Sequence, residues 1–314
     1  MTDLAIIGAG PAGLTAAIYG LRAGLTAVVL DKGFYGGQVA ITAEVENYPA
    51  IARITGPDLA NALYQQAVDL GAQVRFDQAE KVELQGEVKT IVTPSGIIEA
   101  RAVIIANGAK RRRLGCEGEA RLEGKGVSYC ATCDGAFFRG KDVILVGGGN
   151  TALEDALFLS NNCRQVTIVH RRGTFRGEKR LALAVSERSN IRILFHHSVE
   201  RIEGERVVTG ALLRNRQTGS EQMVPAEAVF IAIGYEPDNA LFTGQLPMDG
   251  SGYLVADESC ATPLPGVFVA GDCRTKILRQ IITAAADGAV AAFQAANYCN
   301  MHENAANEPL YTKS

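Results

Sequence analysis

Two cysteines separated by two residues are the most reactive feature of the sequence, in the segment Cys130-Ala131-Thr132-Cys133. Zinc sites use such pairs but normally need four ligands, and the chain has four histidines and no second pair at this spacing. A structural disulfide fits poorly, because the seven cysteines are odd in number and otherwise scattered, as in a protein of the reducing cytoplasm. The remaining interpretation is a redox pair, whose thiolate attacks another disulfide through a mixed-disulfide intermediate.

Asp134 follows the second cysteine directly. A carboxylate there could hold or deliver the proton that a thiol loses before it attacks and that a leaving thiolate gains. Asp134-Gly135 is also a common turn sequence, so the sequence alone leaves a structural role open. The candidate catalytic residues are therefore Cys130, Cys133 and Asp134.

A glycine-rich turn near the start of the chain predicts a nucleotide site. Gly8, Gly10 and Gly13 form G-x-G-x-x-G between a predicted strand and a predicted helix. These glycines allow a tight turn, close approach of a pyrophosphate and close packing of helix on strand. Asp31 ends the next predicted strand, where an acidic residue would hold a ribose hydroxyl. The alternative is a glycine turn that binds no ligand.

A second turn of the same kind follows the cysteine pair, with Gly147, Gly149 and Ala152 as G-x-G-x-x-A. The position that corresponds to Asp31 holds His170. Three arginines lie just beyond it: Arg171, Arg172 and Arg176. A 2′-phosphate would repel a carboxylate but suits guanidinium groups, so this turn favours NADPH over NADH. The alternative is a solvated basic strand end, and His170 taken by itself is typical of a structural histidine.

Composition excludes several classes of protein. The chain has 314 residues, 47% of them hydrophobic, which is enough for two ordinary domains. A net charge of −3 gives no attraction for nucleic acid or an anionic membrane, and no apolar run reaches the roughly 18 residues of a membrane span. Because the start Met1-Thr2-Asp3 lacks a basic leader, we expect no signal peptide. These features predict a cytoplasmic protein.

An internal repeat sets the predicted fold. The order strand, glycine turn, helix, strand occurs at residues 4–31 and again at 143–170. Short β-rich runs at 73–105 and 191–233 predict a small β insertion in each half. The chain after about residue 241 is expected to complete the first half. We therefore predict an α/β protein with two Rossmann-like dinucleotide-binding domains, the second inserted into the first. The predicted bounds are 1–113 with 243–314 for the first domain, and 114–242 for the second, which contains the cysteine pair and the turn that favours NADPH.

Taken in order, the motifs resemble the bacterial-type thioredoxin reductases, a low-molecular-weight group of FAD- and NADPH-dependent pyridine nucleotide-disulfide oxidoreductases. The resemblance covers nearly the whole chain, and a cysteine motif inside the second domain is specific to this group. It is carried by these segments: Gly8-Ala9-Gly10-Pro11-Ala12-Gly13, Gly36-Gly37-Gln38, Glu46-Asn47-Tyr48-Pro49, Cys130-Ala131-Thr132-Cys133-Asp134, Gly147-Gly148-Gly149-Asn150-Thr151-Ala152, His170-Arg171-Arg172, Gly271-Asp272 and Arg279-Gln280.

The resemblance implies that the first domain is the FAD domain, with the NADPH domain inserted into it, and it implies a role for each motif. Cys133 would take electrons from the flavin, Cys130 would attack the thioredoxin disulfide, and Asp134 would be the acid–base residue. Asp272 would bond to the ribityl chain of FAD. The residues implied to hold FAD are Gly8, Gly10, Pro11, Ala12, Gly13, Asp31, Lys32, Gly37, Gln38, Asn47, Gly108, Gly271, Asp272, Arg279, Gln280 and Ile281. The residues implied to hold NADPH are Gly147, Gly149, Asn150, Thr151, Ala152, His170, Arg171, Arg172 and Arg176.

The implied activity is NADPH-dependent reduction of the disulfide of thioredoxin by a homodimer. The alternative within enzymes is a reductase for another small thioredoxin- or glutaredoxin-like protein in a peroxide-reducing system. Three positions depart from the pattern of the family: Asn107, Gly173 and Asp238. They concern details of flavin contact and of the fit between domains, and no catalytic group is lost.

Overall fold

The computed structural model describes residues 1–42 and 45–307, without the side chains of Cys133 and of residues 302–307. The chain forms two compact units, one made of residues 1–110 with the chain from 236 onwards, the other of residues 111–235. The boundaries inferred from the sequence, after residues 113 and 242, lie a few residues later. Within the described residues, no helix is both long enough and apolar enough to span a membrane.

The elements follow one another in the repeated order of strand, turn and helix. The first segment contains β1 (Thr2–Ile7), α1 (Pro11–Arg22), β2 (Ala27–Leu30), α2 (Gly56–Asp69), β3 (Gln73–Arg75), β4 (Lys81–Glu83), β5 (Lys89–Thr93), β6 (Gly96–Ile105) and β7 (Ala109–Arg111). The inserted unit contains α3 (Glu119–Leu122), β8 (Val127–Ser128), α4 (Ala131–Asp134), β9 (Asp142–Gly147), α5 (Asn150–Ser160), β10 (Gln165–His170), α6 (Lys179–Ser186), β11 (Ile191–Phe195), β12 (His197–Glu203), β13 (Gly210–Asn215), β14 (Glu221–Pro225) and β15 (Ala228–Ala232). The last segment contains β16 (Tyr235–Pro237), β17 (Val267–Val269) and α7 (Ile281–Asn307).

The sheet of the first unit is a parallel layer with a small antiparallel extension. Its strand order is β3-β2-β1-β6, and β17 pairs in parallel with the second half of β6. The first half of β6 instead pairs antiparallel with β5, which pairs with β4. The predicted β insertion and the return of the last segment to the first unit are therefore confirmed.

Strand β1 is apolar throughout because both of its faces are covered. Leu4 and Ile6 pack in a cluster with residues of α1 and α7, whereas Ala5 and Ile7 pack in a cluster on the opposite face. Burying a Leu or Ile side chain contributes roughly 1.5–3 kcal/mol, so this strand anchors the sheet. The glycine turn that follows β1 is thereby held at the carboxyl end of a central strand.

The inserted unit repeats this plan. Its parallel sheet has the order β11-β10-β9-β15-β8, and a separate antiparallel sheet has the order β12-β13-β14. On β9, Ile144 and Val146 face the cluster that includes the antiparallel sheet, while Val143 and Leu145 face the cluster that includes α5. Strand β8 lies at the edge of the parallel sheet. Because the cysteine motif follows the carboxyl end of β8, the motif also lies at this edge.

Candidate functional site

The redox motif begins where β8 ends. Cys130 is part of a disulfide bond, and the short helix α4 follows it immediately. The side chain of Cys133, the other predicted catalytic cysteine, lies outside the described part of the structure. The remaining cysteines are not disulfide-bonded: Cys116, Cys163, Cys260, Cys273 and Cys299. Burial raises the pKa of Cys116 and of Cys163 to about 11, which keeps both thiols protonated and unreactive near neutral pH.

A buried serine connects the candidate acid to the motif. The Ser128 hydroxyl donates to Asp134 Oδ2 at 2.6 Å and accepts the backbone N–H of Cys130 at 3.1 Å. The backbone N–H of Asp134 donates to the carbonyl of Cys130 at 3.1 Å. The carboxylate of Asp134 is therefore oriented beside the first cysteine by a residue that the motif spacing did not reveal.

The three glycines of the first glycine turn differ in backbone conformation and in the space around them. Gly8 has a φ of +111°, and a Cβ there would collide with the carbonyl of Ala106. A Cβ at Gly13 would collide with the carbonyl of Gly8. Gly10 has ordinary extended backbone with a φ of −78°, and a Cβ there would meet no atom within 4 Å. Neither backbone nor packing requires glycine at position 10, so the turn leaves space there for the close approach of a ligand.

Asp31 holds the same turn from the end of β2. Its Oδ2 accepts the backbone N–H of Ala9 at 2.8 Å, and its Oδ1 accepts that of Gly33 at 3.0 Å. A carboxylate offers about four lone-pair positions, so acceptor capacity remains for a ribose hydroxyl. Gly36 donates its N–H to the carbonyl of Ala9 at 2.7 Å, and this brings the Gly36-Gly37 segment against the turn.

A buried carboxylate lies near the start of α1. Gly271 has a φ of +81°, and a Cβ there would lie 2.8 Å from Ala12 Cβ in the first turn of that helix. Next to it, Oδ1 of Asp272 is buried and has no hydrogen-bond partner among the described residues. Burial raises the pKa of Asp272, against the opposing charges of Lys276 and Arg279. A buried acceptor without a partner costs about 1–3 kcal/mol, so Asp272 fits a ligand hydroxyl that would satisfy it.

The other predicted flavin residues of the first unit form contacts of their own. Asn47 Nδ2 donates to Gln280 Oε1 at 3.1 Å, which joins two segments that are far apart in the sequence. The Arg279 guanidinium stacks on the Tyr253 ring at 3.9 Å from its centroid and donates to the carbonyl of Asp272 at 3.5 Å. Arg279 thus supports the Asp272 turn. The other predicted residues are placed as follows: Gln38 is exposed, Gly108 has a φ of +68°, and Ile281 begins α7.

Two of the positions that depart from the family pattern contact each other. Asn107 Nδ2 donates to the carbonyl of Asp238 at 2.6 Å and to Asn239 Oδ1 at 3.2 Å. The carboxylate of Asp238 pairs with Lys32 and with Lys110, each at 2.6 Å, and these hydrogen bonds lower its pKa. The ammonium group of Lys32, a predicted cofactor residue, is therefore ion-paired within the protein and shares its carboxylate with Lys110.

The second glycine turn has the same combination of closely packed and open positions as the first. A Cβ at Gly147 would lie 2.5 Å from the carbonyl of Ala232 and 2.6 Å from Ala152 Cβ. Ala152 is fully buried, so it serves the close packing that Gly13 serves in the first turn. Gly149 has an extended φ of −95°, and a Cβ there would meet no atom within 4 Å. As at Gly10, the open space would admit a ligand.

His170 lies beneath this turn. It is 5% exposed, its Nε2 lies 3.0 Å from the carbonyl of Thr174, and a Cβ at Gly148 would collide with its ring. Burial lowers the pKa of His170, so the imidazole is neutral near pH 7. These contacts favour the structural interpretation that the sequence left open.

The three arginines lie on the exposed segment that covers the turn. Arg171, Arg172 and Arg176 are exposed, and within the described residues their guanidinium groups form no hydrogen bond or ion pair. The backbone N–H of Arg176 donates to the carbonyl of Gly148 at 2.7 Å, which fixes this segment to the turn. Asn150 holds the other end of this segment, because its Oδ1 accepts the backbone N–H of Glu178 at 2.8 Å. Free guanidinium groups held beside an open glycine turn suit a phosphate ligand.

Comparison with known proteins agrees with this arrangement. A profile of the pyridine nucleotide-disulphide oxidoreductases matches residues 2–288. The chain belongs to that family. The thioredoxin reductase of Peptoclostridium litorale is 43% identical over 303 residues, which are 94% of this chain and 96% of that protein. A protein of Mycobacterium leprae named bifunctional thioredoxin reductase/thioredoxin is 44% identical over 310 residues, which are 98% of this chain and 68% of that protein.

A solved structure extends the likeness to the fold. The crystal structure of thioredoxin reductase from Streptococcus pyogenes is 38% identical, has a TM-score of 0.82, and is matched over 96% of this chain and 99% of that one. Within the pyridine nucleotide-disulphide oxidoreductases, the chain therefore groups with the thioredoxin reductases, and the predicted family and α/β fold are confirmed.

Several residues that support the sites of this oxidoreductase are not recognisable as site residues from the sequence. Besides Ser128, they include Asn239, whose Nδ2 donates to the carbonyls of Cys273 and Gly252, each at 2.9 Å. They also include Arg274 and Asp287, which form a buried pair below the Asp272 turn. None of these belongs to a spaced motif, since each acts on a segment that only folding brings close.

Proposed function

We propose that this protein is an NADPH-dependent thioredoxin-disulfide reductase that uses FAD and the Cys130/Cys133 pair. The observation that carries the proposal is the disulfide-bonded Cys130 beside a held carboxylate, Asp134, in the unit that also contains the second glycine turn. The match of residues 2–288 to the pyridine nucleotide-disulphide oxidoreductases supports it. The catalytic residues of the proposal are Cys130, Cys133 and Asp134.

FAD is proposed to bind in the first unit, at the first glycine turn. The open face of Gly10 would admit the pyrophosphate, and Asp31 retains acceptor capacity for the ribose. The unpartnered Oδ1 of Asp272 would accept a hydroxyl of the ribityl chain. When bound, FAD supplies a two-electron carrier between a nicotinamide and a disulfide.

NADPH is proposed to bind in the inserted unit, at the second glycine turn. The open face of Gly149 would admit its pyrophosphate, and Arg171, Arg172 and Arg176 would bind its 2′-phosphate. His170 would contribute by its shape beneath the turn, since its neutral ring is already bonded to Thr174.

At the redox motif, each residue is proposed to have one role: attack on the partner, resolution of the mixed disulfide, or proton transfer. The Cys130 thiolate would attack the partner disulfide, forming a mixed disulfide and releasing one partner thiolate. The Cys133 thiolate would then attack Cys130, which releases the second partner thiolate and restores the Cys130–Cys133 disulfide. Asp134, oriented by Ser128, would hand a proton to a leaving thiolate.

Thioredoxin is the proposed partner. The Mycobacterium leprae relative supports this choice, because its name joins a thioredoxin to a reductase with which this chain is 44% identical. We also propose a homodimer, the assembly that the resemblance to the thioredoxin reductases implies. Sedimentation should then give twice the 33.3 kDa mass of the chain.

Consumption of NADPH with a panel of oxidised small redox proteins tests the proposed function. We expect a yellow protein that oxidises NADPH in the presence of thioredoxin, and much more slowly with a glutaredoxin-like protein or with none. Preferential turnover with a protein other than thioredoxin would replace the proposed partner. The absence of bound flavin would contradict the whole proposal.

Substitution of the two open glycines should separate ligand binding from folding. Because a Cβ at Gly10 or Gly149 would meet no protein atom within 4 Å and both residues have ordinary extended backbone, G10V and G149V should keep the wild-type circular dichroism spectrum. G10V should lose bound FAD, and G149V should keep FAD but lose its reduction by NADPH. The matched control is Gly24→Asn, in an equally open turn with a φ of +88° outside either site, which should retain both. Normal nucleotide binding by both valine variants would contradict the assignment of the sites.

A further inference from the structure

A buried cluster of charges lies under the turn that carries Asp272. Its centre is Asp287 of α7, which is 6% exposed. The Asp287 carboxylate accepts from Arg274 Nε at 2.8 Å and from Arg274 Nη2 at 2.7 Å, a bidentate pair. Lys276 Nζ donates to it at 2.8 Å. These hydrogen bonds, against the cost of burial, leave the pKa of Asp287 lowered, so the carboxylate is ionised.

The same carboxylate reaches the backbone of the candidate flavin site. The N–H of Gly271, directly before Asp272, donates to Asp287 Oδ2 at 2.9 Å. Gly271 has a φ of +81°, and its Cα lies over the first turn of α1 near Ala12. Asp287 therefore holds the Ala270–Gly271 peptide group, which directly precedes the residue that carries the unpartnered Oδ1.

Stabilisation of the fold alone does not explain why these three charges are buried together. Arg274 is 2% exposed, and Lys276 and Asp287 are also buried, so three charges are removed from water together. Buried ion pairs seldom stabilise a fold more than apolar residues of the same size would. Well-satisfied buried networks do impose one geometry on the groups they contact. The group contacted here is the backbone that carries an unpartnered carboxylate.

We propose that Asp287, held by Arg274 and Lys276, is a positioning residue for FAD: it fixes the Gly271–Asp272 turn so that the Asp272 carboxylate meets the ribityl chain. Asp287 itself touches no cofactor in this proposal and acts only through Asp272. The inference rests on the proposed function insofar as that function requires FAD at Asp272.

A double-mutant cycle in the full-length protein tests the proposal. The dissociation constant of FAD is measured by titrating apoprotein with FAD for the wild type, D287N, D272N and the double variant, with the flavin absorption bands recorded each time. Groups that orient a ligand-binding residue typically change affinity ten- to a hundredfold at metal sites. We expect D287N to weaken FAD about tenfold and to shift the absorption bands. In the D272N background, D287N should weaken FAD by no more than about twofold, because the residue through which it acts is gone.

The controls separate positioning from general destabilisation. D142N removes a bidentate pair of the same geometry but greater exposure, to Arg164 at 2.7 Å and 2.7 Å in the other unit, and should leave FAD affinity unchanged. If D287N does not fold, K276Q takes its place in the cycle, because it keeps the bonds of Asp287 to Arg274 and Gly271; its smaller loss of affinity should likewise vanish with D272N. Equal losses in both backgrounds, or wild-type affinity and spectrum in D287N, would overturn the inference alone. A wild-type protein without FAD would overturn the proposed function and this inference together.

Discussion

Replacing Cys133 by serine should convert the enzyme into a trap for its partner. Cys130 would still attack the partner disulfide, but no neighbouring thiolate would remain to resolve the mixed disulfide. C133S should therefore accumulate a covalent complex with thioredoxin, visible as a band on a non-reducing gel and lost on reduction. NADPH should still bleach the flavin absorbance, because that reaction needs only the nicotinamide site. Thioredoxin turnover should fall to background.

The complementary variant fixes the assignment of the two cysteines. C130S should lose turnover as completely as C133S but form no covalent complex, since the attacking thiol is absent. C163S is a matched control, because that thiol is buried with a pKa of about 11 and should be dispensable. A complex formed by C130S and not by C133S would reverse the two roles. Full turnover by either single variant would remove the pair from the catalytic mechanism.

Removal of two exposed arginines should abolish the preference for NADPH. Each charge-assisted hydrogen bond contributes about 1.5–3 kcal/mol, and about 1.4 kcal/mol corresponds to a tenfold change in affinity. The double variant R171A/R172A should therefore bind NADPH at least about a hundredfold more weakly and NADH as the wild type does. The measurement is KM for each cofactor in flavin-dependent thioredoxin reduction.

A second pair of arginines controls for the change in net charge. Arg206 and Arg214 are also exposed on the inserted unit, but they lie on the antiparallel β insertion rather than at the glycine turn. R206A/R214A should change KM for NADPH by no more than a few-fold. If the wild type used NADH and NADPH equally well, the assignment of the arginines to the 2′-phosphate would be wrong.

The sequence predicts the fold well because the repeat is encoded locally. A run such as Val143–Gly147, followed by glycines and a helix, specifies strand, turn and helix within some 20 residues. The return of the last segment to the first unit was also predicted and is confirmed by the pairing of β17 with β6. Strand β6 pairs antiparallel with β5 along its first half and in parallel with β17 along its second half. No local pattern in the sequence predicts this double pairing.

The site is predicted less completely because many of its contacts join distant segments. The glycines and the cysteine pair are recognisable by spacing, but Ser128 looks like any strand residue until its hydroxyl is seen on Asp134. Asp287 lies in a long alanine-rich helix, and only folding brings its carboxylate to Gly271. His170 shows the opposite case, since its position in the repeat suggested a ligand contact and its burial favours packing.

The transfer of electrons from NADPH to a partner disulfide is tested most directly by stoichiometry under anaerobic conditions. Limiting NADPH is added to the flavin-loaded enzyme with excess oxidised thioredoxin, and new thioredoxin thiols are counted with a thiol reagent. Disulfide reduction is a two-electron step, so the account predicts about two new thiols for each NADPH consumed, and none with C130S. Consumption of NADPH without new thiols, or equal thiol formation by C130S, would contradict it.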